Sequence, residues 1–136
     1  MTFDPADEAV DAETVQTKVD ETIAENEVVL FMKGTPLMPQ CGYSKRAIGL
    51  LQQYRDDVVT VDVLENTEAY RAALEDHSGW ETIPQTFVDG EFVGGSDILA
   101  ELEERGELAE KLNADGEVVK SDGGEEGGNA GVDAPF

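Results

Sequence analysis

The chain's single cysteine lies in the stretch MKGTPLMPQCGYS, between the apolar run EVVLF and a segment with helical spacing, KRAIGLLQQY. A cysteine that opens a helix meets unpaired backbone N–H groups and partial positive charge, and both favour thiolate over thiol. Lys33 adds to this if the loop between it and Cys41 folds back. The competing use of a lone cysteine is as a small buried hydrophobe. Ser44 stands where a Cys-x-x-Cys pair would keep its second thiol. Reduction of a disulfide by two thiols uses one to attack and the other to resolve, and a hydroxyl cannot resolve. What remains for Cys41 is attack on a mixed disulfide that an external thiol must clear. A second candidate site is Gly94-Gly95-Ser96-Asp97. Its glycines let a ligand approach the backbone, the N–H groups of a helix start hold a carboxylate, and Asp97 can hold an ammonium group or serve only as a helix cap.

The elements that position these residues follow from periodicity. Val15, Val19 and Ile23 recur every four residues and predict a helix from Ala12. Glu27 to Met32 predicts a buried strand, and a helix follows from about Gly42 to Tyr54. The loop between them carries Pro36 and Pro39 and is neither helix nor interior strand. Val58 to Val63 predicts a second strand, parallel to the first through a right-handed crossover. Thr67 to about Asp76 predicts a helix with Thr67 as its N-cap. Thr86 to Val93 reads as a hairpin turning at Asp89-Gly90. A helix capped by Ser96 or Asp97 and carrying Ile98, Leu99 and Leu102 comes next, then a short one at Leu108 and Leu112. The order predicts an α/β domain over residues 12–112, a small mixed sheet with helices on both faces. Residues 1–11 are acidic and expected to fray, and the Gly- and Glu-rich tail 113–136 is expected to be disordered.

Composition narrows the partners. The 136 residues hold 31 acidic and 9 basic side chains, a net charge of −22. Such a chain repels nucleic acid and anionic membrane, having no basic patch to release phosphate counterions. One cysteine excludes an internal disulfide, and no Cys/His cluster suits zinc. No run reaches the length of a membrane span, and the N-terminus lacks a basic and apolar leader. A free thiol suits a reducing cytoplasm.

Four motifs in order and spacing carry a resemblance. Lys33-Gly34-Thr35-Pro36, Cys41-Gly42-Tyr43-Ser44, Trp80-x-Thr82-x-Pro84-Gln85 and Val93-Gly94-Gly95-x-Asp97 resemble the monothiol glutaredoxins over about residues 13–112. The resemblance implies a thioredoxin-like fold with a four-stranded sheet. It implies a cis proline at Pro84 beside Cys41, with the backbone of Ile83 turned outward to pair with a peptide-like ligand. The γ-glutamyl end of glutathione is then expected at Gly95, Ser96 and Asp97, and its far carboxylate at Lys33 and Arg71. Three features depart from or fall outside the pattern: Glu81 stands where proline is usual, Ile83 where an aromatic is frequent, and His77 matches no functional position and reads as surface. Trp80 is expected to pack rather than react.

The seven residues Gly34 to Gln40 between Lys33 and Cys41 resemble the class whose relatives carry 2Fe–2S clusters between two subunits. Cluster iron takes four thiolates, so one cysteine from each of two chains and two small thiols complete the set. The resemblance therefore implies a glutathione-dependent scaffold or carrier with Cys41 as iron ligand, working as a cluster-bridged homodimer. The alternatives are a monothiol oxidoreductase that removes glutathione from proteins, weakly active at most, and a regulatory adaptor for BolA-family proteins, iron sensors or cluster acceptors. No apolar dimer face is evident in the sequence. The acidity, with few lysines, resembles proteins adapted to high intracellular salt, and γ-glutamylcysteine would then be a candidate thiol besides glutathione. Because salt screens the self-repulsion of −22 charges, the chain is expected to unfold partly at low salt. A circular-dichroism melt should shift upward between low and molar salt, and an unchanged melt would contradict the reading.

Overall fold

In the computed structural model, residues 11–114 are described; residues 1–10 and 115–136, with the fraying and disorder expected of them, lie outside the described residues. Asp11 belongs to the domain rather than to the acidic lead. Its carboxylate accepts the Thr14 N–H at 2.8 Å and caps α1 (Ala12–Glu25), satisfying one of the orphan donors of the first turn. Val15, Val19 and Ile23 form the buried stripe of that helix, as their spacing predicts.

β1 (Val28–Met32) is buried along its whole length because it lies inside the sheet with helices on both sides. The strand order is β2-β1-β3-β4. β2 (Val59–Asp62) pairs with β1 in parallel, Val29 opposite Val59, and the crossover between them carries α2 (Gly42–Gln52). β3 (Gln85–Val88) lies antiparallel on the other side of β1, and β4 (Glu91–Gly94) antiparallel to β3. Asp89 and Gly90 both have positive φ, 53° and 82°, the backbone that a two-residue hairpin turn needs.

Strand alternation divides the core into two layers. Val29 and Phe31 face α1 and α3 (Thr67–Ser78) together with Val61 and Phe87, and Phe31 meets the Phe87 ring edge-on at 5.8 Å. Val28, Leu30 and Met32 face α2, α4 (Ser96–Glu104) and α5 (Leu108–Lys111), where Leu51, Leu99 and Leu108 are buried. Full burial of a side chain such as Leu51 contributes about 2 kcal/mol.

The structure moves several boundaries. Asn66, not Thr67, caps α3 through its side chain to the Ala69 N–H. Gly95 caps α4, so Ser96 and Asp97 are its first helical residues. β2 stops at Asp62 because that carboxylate turns to accept the Leu64 N–H at 2.9 Å, and Val63–Glu65 forms a short 3-10 turn. His77 is exposed, as the sequence reading has it, and it is also engaged: Nε2 lies 2.7 Å from Asp20 Oδ1, joining α3 to α1, and its ring meets Phe87 edge-on. No helix among the described residues is long and apolar enough to cross a membrane.

Arg55, just past α2, ties the domain's end to its beginning. It donates to the Leu112 carbonyl at 2.6 Å, to Glu27 at 2.7 Å and to Asp57 at 2.7 Å and 2.9 Å. Asn113 completes the cluster by donating to Glu27 and Asp89, so the ordered chain continues past residue 112. Arg55→Gln should therefore lower the urea midpoint by an amount equivalent to about 1–3 kcal/mol, and hydrogen exchange should speed up first at the Leu112 and Asn113 amides. Unchanged exchange at those amides would show that α5 is held by packing alone.

Candidate functional site

The loop after β1 is a closed, hydrogen-bonded excursion. The Lys33 N–H donates to Ser44 Oγ at 3.0 Å, and the Gly34 N–H donates to Asp62 Oδ1 at 3.0 Å. Thr35 and Met38 exchange backbone hydrogen bonds at 3.2 Å and 3.0 Å, and the Gln40 N–H returns to the Lys33 carbonyl at 2.9 Å. Gly34 is required here: φ is 92°, and a Cβ would lie 2.5 Å from the Met38 carbonyl oxygen and 2.7 Å from the Gln40 nitrogen. Leu37 and Met38 are left exposed at the tip.

The excursion delivers Cys41 to the N-cap of α2 in an extended conformation, with its side chain half-buried. Its sulfur closes no capping hydrogen bond, so the neighbouring dipoles act on it through their field. The thiol pKa is lowered, chiefly by the Ser44 backbone N–H; burial opposes this, and the Tyr43 N–H, the Ser44 hydroxyl and the Lys33 ammonium add to it. Lys33 thus acts on the sulfur as the sequence suggests. Ser44 has a part the sequence did not reveal. It is wholly buried, with its hydroxyl holding the loop, rather than a silent replacement for a second thiol.

Beside this helix start runs a groove of about 630 Å³ bounded by Tyr43, Trp80, Ile83, Pro84, Gly95 and Asp97, with Ser96 and Ile98 also at its wall. The Ile83-Pro84 peptide is cis, as the resemblance implied. Gly95 packs so closely on this turn that a Cβ would sit 3.0 Å from the Pro84 carbonyl oxygen. Gly94 is confined too: φ is 150°, and Ile98 fills the space where its Cβ would be. Asp97 stands 87% exposed in the first turn of α4, its one ion pair among the described residues a long 3.8 Å contact with Arg46, so its carboxylate is available to a ligand.

Of the candidate residues, the fold brings Ile83, Pro84, Gly95, Ser96 and Asp97 together in one groove and sets Cys41 and Lys33 at the adjoining helix start. Arg71 is not among the groove residues. It lies on α3, 3.7 Å from Glu81, and reaches the site only through the Trp80-Glu81 segment. Trp80 is corrected outright: it is 60% exposed and lines the groove instead of packing. Together with the exposed Leu37, Met38, Tyr43 and Ile98 it also supplies exposed apolar surface that the sequence reading did not anticipate. Gln85 was overlooked as a positioning residue. Its buried amide donates to the Trp80 and Thr82 carbonyls at 2.8 Å and 2.9 Å and so fixes the turn before Pro84, while its own Oε1 stays without a partner. The signal was present, since Gln85 closes the Trp80-x-Thr82-x-Pro84-Gln85 motif.

A glutaredoxin family model matches residues 28–93. A monothiol glutaredoxin of Porphyra purpurea is 49% identical over 96 residues, covering 69% of this chain and 89% of that protein. The chain belongs to the monothiol glutaredoxin family. The glutaredoxin has a thioredoxin-like fold, and among solved structures it is similar to reduced apo GrxS14 of poplar. That match has a TM-score of 0.64 and 40% identity, over 74% of this chain and 92% of the other. It is also similar to a buckwheat glutaredoxin solved in complex with glutathione, at a TM-score of 0.62 and 26% identity, over 75% and 90% of the two chains.

The lowered thiol pKa has a direction that can be checked. A pKa depressed by folding adds stability above the free-thiol value, and that stability is lost as pH falls through the folded value. Between those two values the glutaredoxin should therefore become more stable as pH rises, and Cys41→Ser should abolish this slope. The inflection for alkylation of Cys41 should lie below that of a free thiol. Lys33→Gln and Ser44→Ala should each move it upward, and Ser44→Ala should in addition cost about 1–3 kcal/mol by orphaning the Lys33 N–H.

Proposed function

We propose that this monothiol glutaredoxin binds a glutathione-type thiol in the groove beside Cys41 and carries a 2Fe–2S cluster between two subunits. The observation that carries the reading is a single half-buried thiol, biased toward thiolate at a helix start, with no second cysteine in the chain. Among the described residues no three His, Cys, Asp or Glu side chains converge to hold a metal ion. One chain thus offers one iron ligand, and the four thiolates that a cluster needs come from two chains and two small thiols. The donor is of the right kind, since a soft thiolate suits iron–sulfur centres. With three of the four ligands supplied from outside a given chain, the cluster leaves readily, which a carrier requires.

In this reading Cys41 ligates iron and the Ile83 backbone pairs with the peptide of the thiol, as an added strand would. The N–H groups at Gly95 and Ser96 hold the γ-glutamyl carboxylate at the start of α4, and Asp97 takes its ammonium group. Lys33 takes the far carboxylate, and Arg71 joins it only on leaving Glu81. Support comes from the buckwheat relative bound to glutathione and from the family's association with glutathione and with iron–sulfur roles. The remaining parts of the reading, a cytoplasmic and salt-adapted protein that hands clusters to acceptors and pairs with BolA-family proteins, follow from the resemblance and the charge.

A second reading, a monothiol oxidoreductase acting on glutathionylated proteins, draws on the same sulfur. The buried, engaged Ser44 confines it to one attacking thiol with external glutathione as the resolver. Anaerobic reconstitution with iron, sulfide and either glutathione or γ-glutamylcysteine should give visible cluster absorption and a shift from monomer to dimer in gel filtration, with both lost in Cys41→Ser. A colourless monomer with brisk deglutathionylating activity would reverse the order of the two readings.

A further inference from the structure

Arg71 is one of only nine cationic side chains in a chain of net charge −22, and among the described residues its single ion pair is with Glu81, Nη2 to Oε1 at 3.7 Å. Both side chains are about half exposed, 49% and 50%, so the pair is reachable from solvent. Glu81 is not carried on a loose loop. The carbonyls on either side of it, of Trp80 and Thr82, are both held by the buried Gln85 amide, and the Trp80 carbonyl also accepts from Ser78 Oγ at 3.2 Å. This clamp presents the Glu81 carboxylate to α3 while the neighbouring Trp80 ring lines the groove. Glu75, one turn along α3 from Arg71, is close enough that the Glu81 charge raises its pKa. Two carboxylates therefore crowd the surroundings of one guanidinium. Lys33, by contrast, makes no ion pair among the described residues.

We propose that Glu81 is a specificity-determining residue, which occupies Arg71 and withholds it from the far carboxylate of a bound γ-glutamyl thiol. The inference rests on the glutathione-type reading of the groove and deepens it by naming the ligand class. The pocket selects its ligand by the γ-glutamyl end, and Lys33 alone is left to favour a terminal glycine carboxylate. A ligand carboxylate arriving at Arg71 must displace Glu81 or share the cation with it, and either way the net gain from that contact is small. A thiol without that carboxylate forgoes almost nothing at Arg71 and loses only the contact with Lys33.

Calorimetric titration of the full-length, metal-free protein tests this with three probes: S-methylglutathione, its glycine carboxamide, and S-methyl-γ-glutamylcysteine. The wild type should prefer S-methylglutathione to the other two by no more than about threefold, the scale of the one contact left to Lys33, and Glu81→Gln should tighten S-methylglutathione alone by about a further threefold, the scale of one exposed ion pair. Adding Arg71→Gln to that variant should erase the new preference, which a merely structural role for Glu81 would not do. A wild type that already prefers the acid about tenfold over the amide, the scale of two exposed cation contacts, or a Glu81→Gln change that moves both probes equally, overturns the role of Glu81 while leaving γ-glutamyl binding intact. Failure of the wild type to bind any of the three overturns the glutathione-type reading together with this one.

Discussion

One hydrogen bond across an eleven-residue separation governs the geometry of this protein: the Lys33 N–H donating to Ser44 Oγ at 3.0 Å. It joins the end of β1 to the first turn of α2 and forces the intervening prolines and Gly34 into a closed excursion. Without it the half-buried Lys33 amide and the buried Ser44 hydroxyl would each need another partner. The bond also sets the sulfur's environment. With Ser44 fixed, its backbone N–H stands close to Cys41, and that N–H is the largest influence lowering the thiol pKa. A residue that removes the option of a resolving thiol is thus the one that positions the attacking or ligating one.

The site is assembled from three separate chain segments, 33–44, 80–85 and 94–98, each held by a contact within the fold. Asp62 anchors the excursion at Gly34, Gln85 fixes the turn before Pro84, and Gly95 presses on the Pro84 carbonyl oxygen. This arrangement leaves groups such as Asp97 and Trp80 exposed to solvent while the backbone beneath them is held. Preorganisation of that kind lowers the ordering cost of holding a flexible peptide thiol.

Dense negative charge shapes what such a groove can do. With 31 acidic residues, most cations are already paired, as Arg46 is with Asp97 and Arg71 with Glu81. Exposed pairs contribute little to stability and weaken with salt. Their weight falls instead on recognition, since any anionic ligand competes with a resident carboxylate for each of the few positive groups.

The sequence alone determined the element order, the buried stripe of α1 and the position of Cys41 at a helix start. Apolar spacing and turn chemistry are local signals, and the Asp89-Gly90 hairpin and the Val15-Val19-Ile23 stripe were legible for that reason. The four motifs identified the family and, through it, the candidate groove residues. Only the tertiary structure decided that Asn66 and Gly95 are the caps, that Trp80 is exposed, that Gln85 clamps the turn and that Arg71 is engaged by Glu81. Each of these depends on which groups meet across the fold after burial has claimed the others. A side chain's type states what bonds it can form, and the packing of distant segments decides which of them it makes.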